Sequence, residues 1–322
     1  MKPKLKPLDQ QVIVLTGASS GIGLATALAA TRQGAALVLS CRSRFTLEAL
    51  VDQIHQAGGR AIAVQADVGN RAQVEQIATE AVTRFGRIDT WINNAGVSIF
   101  GRADEVSDED AERLFRTNFW GVVHGSRAAL PHLRRQGGAL INIGSEASDA
   151  AIPLQSLYSA SKHAVKGYTD ALRIELEADQ APVSVTLIQP SAVDTPFPEH
   201  AGNYLDQEPK LPTPMIEPEK VASAILEAAT EPTRDVRVGA MAVVNTAMAR
   251  VMPALADMMA RMQMGRQQRN EPPRTREGTL YTAGETGLVY GRGNQNAADT
   301  DQAMALNVRP GPAAGDAPTA RP

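Results

Sequence analysis

The 322-residue chain contains a single cysteine, Cys41. One thiol cannot build an internal disulfide framework, and it fits a reducing compartment. No stretch approaches the ~18 consecutive apolar residues of a membrane span. The apolar run Val12-Ile13-Val14-Leu15 is short and leads straight into Thr16-Gly17, so no signal peptide is expected despite the basic residues before it. Net charge is only −3, which gives no basic field for nucleic acid. His124, His132 and His163 lack metal-ligand spacing, so no metal site is expected and they read as ordinary helix residues. These absences leave a cytoplasmic protein that acts on something small.

Apolar residues make up 43% of the chain and charged residues 21%, the mix of a globular protein. The order of elements is more informative. A β-branched run at 11–15 reads as a buried strand and meets Thr16-Gly17-Ala18-Ser19-Ser20-Gly21-Ile22-Gly23, then a helix to Gln33. Strands follow at 36–40, 61–65, 88–92, 139–143 and 183–189, with helices near 46–57, 71–85, 107–136 and 156–179 between them. A last helix near 219–229 and a strand near 236–238 complete the pattern. Strands alternating with helices of this length predict a doubly wound parallel sheet, an α/β fold of about seven strands. Ligands of such sheets bind beyond the strand C-termini, where Gly17, Cys41, Arg42, Asp67 and Asn94 all fall. Residues 191–218 are Pro-rich and read as an irregular lid.

The chemistry centres on Tyr158-Ser159-Ala160-Ser161-Lys162. Tyr158 and Lys162 are four apart, so a helix puts them on one face. A phenol titrates near ~10, and an ammonium one turn away is expected to lower that value towards neutral pH. By itself such a pair also arises as a surface tyrosine beside a solvated lysine.

The combination resembles the short-chain dehydrogenase/reductase family, in its single-domain branch. Thr16-Gly17-x-x-x-Gly21-x-Gly23, Asn93-Asn94-Ala95-Gly96, Ser145 and Tyr158-x-x-x-Lys162 stand in that family's order. Ser145 lies 13 residues before Tyr158, and Asn118 lies 40 before it. The resemblance covers about residues 8–240. It implies a Rossmann-like fold and an oxidoreductase that moves a hydride between a nicotinamide and a carbonyl/alcohol pair. Tyr158 is implied to be the general acid and base, Lys162 to tune it and hold the nicotinamide ribose, and Ser145 to orient the substrate oxygen. Asn118 is implied to hold a water linking Lys162 to solvent, against the alternative of a cap or buried polar residue. Implied cofactor contacts are Gly17, Ser19, Ser20, Gly21, Ile22 and Gly23 in the turn, Arg42, Asp67, Val68, Asn94, Ala95, Gly96, Tyr158, Lys162, Pro190, Val193 and Thr195. The family commonly has Pro-Gly after strand six. Here Pro190-Ser191 stands instead, which puts the placement of Thr195 in question.

An acid at the end of strand two selects NAD(H) in such folds. That position holds neutral Cys41, and Arg42 follows, so NADP(H) is expected over NAD(H), with Arg44 assisting. The bland alternative is a solvated loop charge. Cys41 reads as packing, Glu146 as facing away from the substrate pocket, and His163 as off the Tyr–Lys face. The helices at 107–136 and 156–179 suit a homodimer or homotetramer. Competing functions are a non-catalytic dinucleotide-binding redox sensor or scaffold, and an isomerase or dehydratase.

Three segments follow from composition: a catalytic domain over 1–240, a Met-rich helical extension over 241–265, and a disordered tail over 266–322. Residues 241–264 hold seven of the ten methionines. Met241, Val244, Met248, Val251, Leu255, Met258 and Met262 are spaced 3, 4, 3, 4, 3, 4. This seam predicts a helix, kinked at Pro253, whose stripe docks near the substrate lid; a partner-helix or second-subunit contact, and after it membrane-surface binding, are the alternatives.

Overall fold

The computed structural model describes residues 3–284 and 287–291. The chain runs β1 (Val12–Thr16), α1 (Gly21–Arg32), β2 (Ala36–Cys41), α2 (Arg44–Gln56), β3 (Arg60–Gln65), α3 (Arg71–Phe85), β4 (Thr90–Asn93) and a short β5 (Ile99–Phe100). Next come α4 (Asp108–Phe115), a π turn (Arg116–Trp120), α5 (Gly121–Gln136), β6 (Gly138–Ile143) and α6 (Ser156–Ala178). The rest is β7 (Val183–Pro190), a short β8 (Gly202–Asn203), α7 (Pro218–Ala228), β9 (Asp235–Val238), α8 (Ala240–Val251) and α9 (Pro253–Gln263).

Seven strands form one parallel sheet in the order β3-β2-β1-β4-β6-β7-β9. β1, β2, β6 and β7 are buried along their whole length, because helices cover both faces. One core layer packs α1, α2 and α7 on the sheet through residues such as Leu24, Leu47, Ile54 and Ile225. The other packs α3, α5 and α6 through Val74, Ile77, Leu133 and Leu172. The chain winds outward from β1 to β3, then returns to β4 on the other side of β1. The strand order therefore reverses between β1 and β4, and a crevice opens above their C-terminal ends.

Two expectations change in detail. The helix expected over 107–136 is broken into α4 and α5 by the π turn, while Pro131 stays inside α5. The lid region carries β8, which pairs in parallel with β5.

The methionine seam is helical and restarts at Pro253, but its stripe is not the docked face. Val244, Val251, Met258 and Met262 are 45%, 78%, 44% and 72% exposed. The inward face is mostly small or polar: Ala242 and Thr246 are buried, and Asn245, Ala249, Ala256 and Ala260 line the cavity together with Met248 of the seam and Met259. Both faces are apolar enough to satisfy the periodicity, and close approach selects the one with small side chains.

The tail also starts later than its composition suggests. Gln267 is buried, donates to the Pro153 carbonyl at 2.9 Å and accepts from Gln155 at 3.0 Å. Glu208 bonds the backbone of Glu271 and Arg269, and Asn203 bonds the Arg276 carbonyl. Leu280 is fully buried and Val289 nearly so. Two well-placed apolar anchors and a run of backbone hydrogen bonds hold a segment whose average composition is polar. The remainder of the expected tail, 292–322, lies outside the described residues.

Candidate active site

The turn after β1 is shaped by steric need. Gly17 has φ +70°, and a Cβ there would meet Ala95 Cα at 2.7 Å. A Cβ on Gly23 would meet the Gly17 carbonyl at 1.9 Å. Asn94 holds this turn by donating Nδ2 to the carbonyls of Thr16 and Gly17, both at 3.0 Å. Asn93 instead faces the core, where it bonds Asn142 at 2.8 Å and accepts from Trp91 at 2.8 Å. Ser20 precedes α1 without a side-chain cap, so the first N–H groups of that helix face the crevice. A backbone cradle at an uncapped helix start fits a pyrophosphate.

The crevice holds a cavity of about 530 Å³. Gly17, Ser19, Ser20, Gly21, Ile22, Gly23, Arg42, Asp67, Val68, Asn94, Ala95 and Gly96 line one part of it, and Ser145, Tyr158, Lys162, Pro190, Val193 and Thr195 the other. The structure thus brings together every expected site residue except Asn118. That side chain is fully buried: Oδ1 accepts from Val97 N at 2.8 Å, and Nδ2 donates to Val97 O at 2.9 Å and Ser161 Oγ at 3.0 Å. Ser161 in turn donates to the Tyr158 carbonyl at 2.7 Å. Asn118 therefore pins the helical turn that carries Tyr158.

Tyr158 and Lys162 share a face of α6, as their spacing predicts. The expected lowering of the phenol is overturned. Burial pushes Tyr158 up to about 12; its hydrogen bond with Ser145 pulls the other way, and the charge of Glu146 pushes it further up. The Lys162 ammonium lies 5.7 Å from the ring centroid and donates to the Ile143 carbonyl at 2.8 Å. It therefore faces the ring and the β6 carbonyl, and burial brings Lys162 itself down to about 8.

This burial has a measurable cost. The folded pKa of Lys162 lies below the unfolded value of 10.5, so the unfolded chain binds the proton more tightly. Below pH ~8 the folded protein carries the full penalty, on the order of 3 kcal/mol, and the penalty fades as pH rises towards the unfolded value. Lys162→Met should therefore raise the thermal midpoint at pH 7, with a gain that shrinks by pH 10. A gain of the same size at both pH values would contradict this account.

Ser191 is accommodated. Its N–H donates to the Val238 carbonyl at 2.9 Å, and its backbone φ is not positive. The glycine is across the pair: Gly239 has φ +96°, and a Cβ there would meet Ser191 Oγ at 2.4 Å.

Other residues were missed or misplaced by sequence reasoning. Glu146 faces the cavity and accepts from Asn245 Nδ2 at 2.8 Å, where it was expected to face away. His163 also lines the cavity, with Nδ1 bonded to the Ser159 carbonyl at 2.9 Å. Arg113 had no motif to mark it. Its Nη2 bonds Asp67 at 2.7 Å and its Nε donates to the Leu280 carbonyl at 2.8 Å. Arg42 donates to the same carbonyl at 2.9 Å and also to that of Thr279. Arg44 is exposed and tied to Glu48 at 2.7 Å.

Residues 279–284 and 287–291 lie against the crevice, and the two pieces are called the strap below. Thr279, Ala283 and Gly284 line the cavity, and the Leu288 carbonyl accepts from Gly21 N at 2.9 Å. Its sequence signal is a few large apolar residues, Leu280, Leu288 and Val289 with Tyr281 and Tyr290, in an otherwise polar tail.

A family model described as short chain dehydrogenase matches residues 11–204. The uncharacterised oxidoreductase YxnA of Bacillus subtilis is 48% identical over 288 residues, 88% of this chain and 81% of that protein. An alcohol dehydrogenase from the archaeon Thermococcus sibiricus, solved with 5-hydroxy-NADP, superposes with a TM-score of 0.63 at 30% identity, over 71% of this chain and 94% of that one. A short chain dehydrogenase/reductase from Burkholderia phymatum, solved with NAD, gives 0.66 at 28% identity, over 84% and 100%. The glycine cradle, the Ser145–Tyr158–Lys162 wall and these matches agree, and the chain belongs to the short chain dehydrogenase family.

Proposed function

We propose that this protein is an NADP(H)-dependent oxidoreductase that interconverts a carbonyl and an alcohol, with Tyr158 as general acid and base. The observation that supports it is one cavity lined both by the glycine turn and by Ser145, Tyr158 and Lys162. A nicotinamide held there would supply or accept the hydride. Ser145 donates to the substrate oxygen and orients it towards the phenol. Tyr158, protonated at neutral pH, gives its proton to that oxygen as the carbonyl is reduced. Lys162 spends one donor on Ile143 and has others for the ribose hydroxyls. By resemblance it also returns the proton to Tyr158, but the Asn118 side chain is bonded to Val97 and Ser161 and does not reach the cavity to hold a relay water. Asn118 acts as a positioning residue through Ser161.

The two solved relatives were crystallised with different dinucleotides, so the cofactor reading rests on Cys41 and Arg42. A guanidinium prefers a phosphate to the neutral carbonyls of Thr279 and Leu280. Among the described residues no helix is long and apolar enough to cross a membrane. A cytoplasmic homodimer or homotetramer is part of this reading. Trp120 and Ile174, 46% and 62% exposed near the π turn and on α6, suit an isologous contact that light scattering measures.

Purified protein mixed with NADPH and a panel of ketones and aldehydes, followed at the reduced-cofactor absorbance, tests the function. Binding of NADPH without turnover of any carbonyl would favour the redox sensor or scaffold. The strap adds a kinetic expectation. A Cβ on Gly291 would meet the Thr195 carbonyl at 2.4 Å, so Gly291→Val should lift the strap end. NADPH release, read by stopped-flow fluorescence, should quicken by roughly tenfold, the effect of losing one or two hydrogen bonds. An unchanged release rate would show that cofactor leaves without moving the strap.

A further inference from the structure

The cavity has a second polar feature beyond Ser145, Tyr158 and Lys162. Glu146 follows Ser145 directly, with Cα atoms about 3.8 Å apart. Its Oε2 accepts from Asn245 Nδ2 at 2.8 Å, and Asn245 comes from α8, far away in sequence. Among the described residues this is the one hydrogen bond of the carboxylate. α8 is tied down beside it by Arg250, which pairs with Asp149 at 2.6 Å. Apolar side chains, Ile152, Phe197, Leu211, Met248 and Met259, line the same cavity among polar ones such as Gln155, His163 and Asp257.

Burial raises the Glu146 pKa, and the Asn245 bond only partly opposes this. The half-buried carboxylate has lost part of its water and gained a single donor. Its charge is felt at the Tyr158 phenol, which places it beside the reacting centre. A carboxylate with open lone pairs, next to an amide oxygen, offers acceptors and calls for a donor.

We propose that Glu146 and Asn245 form a substrate subsite that reads a hydrogen-bond donor, a hydroxyl or an amine, on the carbon next to the reacting carbonyl of an otherwise apolar substrate. The subsite rests on the carbonyl-reductase reading above. Ser145 and Tyr158 take the carbonyl oxygen, and the neighbouring donor falls to Glu146. The apolar remainder lies against the α8–α9 wall.

The test compares acetophenone, 2-hydroxyacetophenone and 2-aminoacetophenone, with NADPH, in the wild-type enzyme and in Glu146→Gln and Glu146→Ala. The quantity read is the ratio of kcat/KM for each donor-bearing ketone to that for acetophenone. Intrinsic reactivity and any change at Tyr158 cancel when this ratio is compared between enzymes. A hydrogen bond to a charged group implies that Glu146→Ala lowers the ratio by roughly tenfold or more. Glu146→Gln separates the two donors. It should lower the amine ratio about as far as Ala does, because it loses the charge, and the hydroxyl ratio less, because it keeps an acceptor. Ratios that stay the same in all three enzymes would overturn the subsite while leaving carbonyl reduction standing. Failure of the wild-type enzyme to reduce any of the three while it reduces another carbonyl of the panel would overturn the subsite alone, and failure on the whole panel would overturn both.

Discussion

Tyr158→Phe should lower carbonyl reduction by roughly 10²-fold or more, the usual weight of a general acid. The substitution removes the transferable proton and almost no volume. Tyr158 is 8% exposed and packs its ring edge-on to Phe197 at 5.5 Å, so the Phe ring keeps its place. The Kd for NADPH should stay within a few-fold of wild type, because Lys162 and the glycine cradle are untouched. With the phenol near 12, the proposed acid carries its proton at neutral pH. Steady-state kinetics with the best ketone of the panel, beside a cofactor titration, would decide it. A Phe variant that turns over at near wild-type rate would sink the mechanism, since Tyr158 is the titratable side chain hydrogen-bonded to Ser145 among the described residues.

The second large effect concerns the cofactor. Cys41→Asp with Arg42→Ala should turn a preference for NADP(H) into one for NAD(H). Removing a charge-assisted contact to phosphate costs about 1.5–3 kcal/mol, and a carboxylate in its place repels the phosphate as well. The ratio of kcat/KM for NADPH over NADH should therefore fall by about 10²-fold or more. Arg42 also holds the strap through Thr279 and Leu280, so its loss has two consequences. Cys41→Asp alone keeps those contacts and should shift the ratio in the same direction without quickening cofactor release. A wild-type enzyme that uses NADH better than NADPH would refute the assignment to Arg42.

Much of the fold was legible because it depends on short-range patterns. Buried strands need unbroken apolar runs, and helices that cover a sheet need a 3.6-residue stripe. The turn at Gly17–Gly23 was legible because only glycine fits where backbone meets backbone. Tyr158 and Lys162 were legible because helix geometry makes i and i+4 neighbours whatever lies around them.

What the tertiary structure decided is the environment of those groups. Spacing placed an ammonium near a phenol and implied a lowered pKa. Depth of burial and the Glu146 charge reversed the direction, and neither is a property of local sequence. The methionine seam gave a helix but not the face that docks, because a stripe records periodicity and a contact depends on how closely two surfaces approach. Glu146 and Asn245 are 99 residues apart, and Arg42 lies 238 from Leu280; such pairings exist only once the sheet brings its C-terminal edge together. The strap shows the same limit. Composition averages a segment, whereas Leu280 and Val289 hold this one through two buried side chains. The sequence by itself determined the glycine cradle and the Ser145, Tyr158 and Lys162 groups of the crevice. The folded chain determined their charges, their partners and what covers them, because those follow from distance and burial.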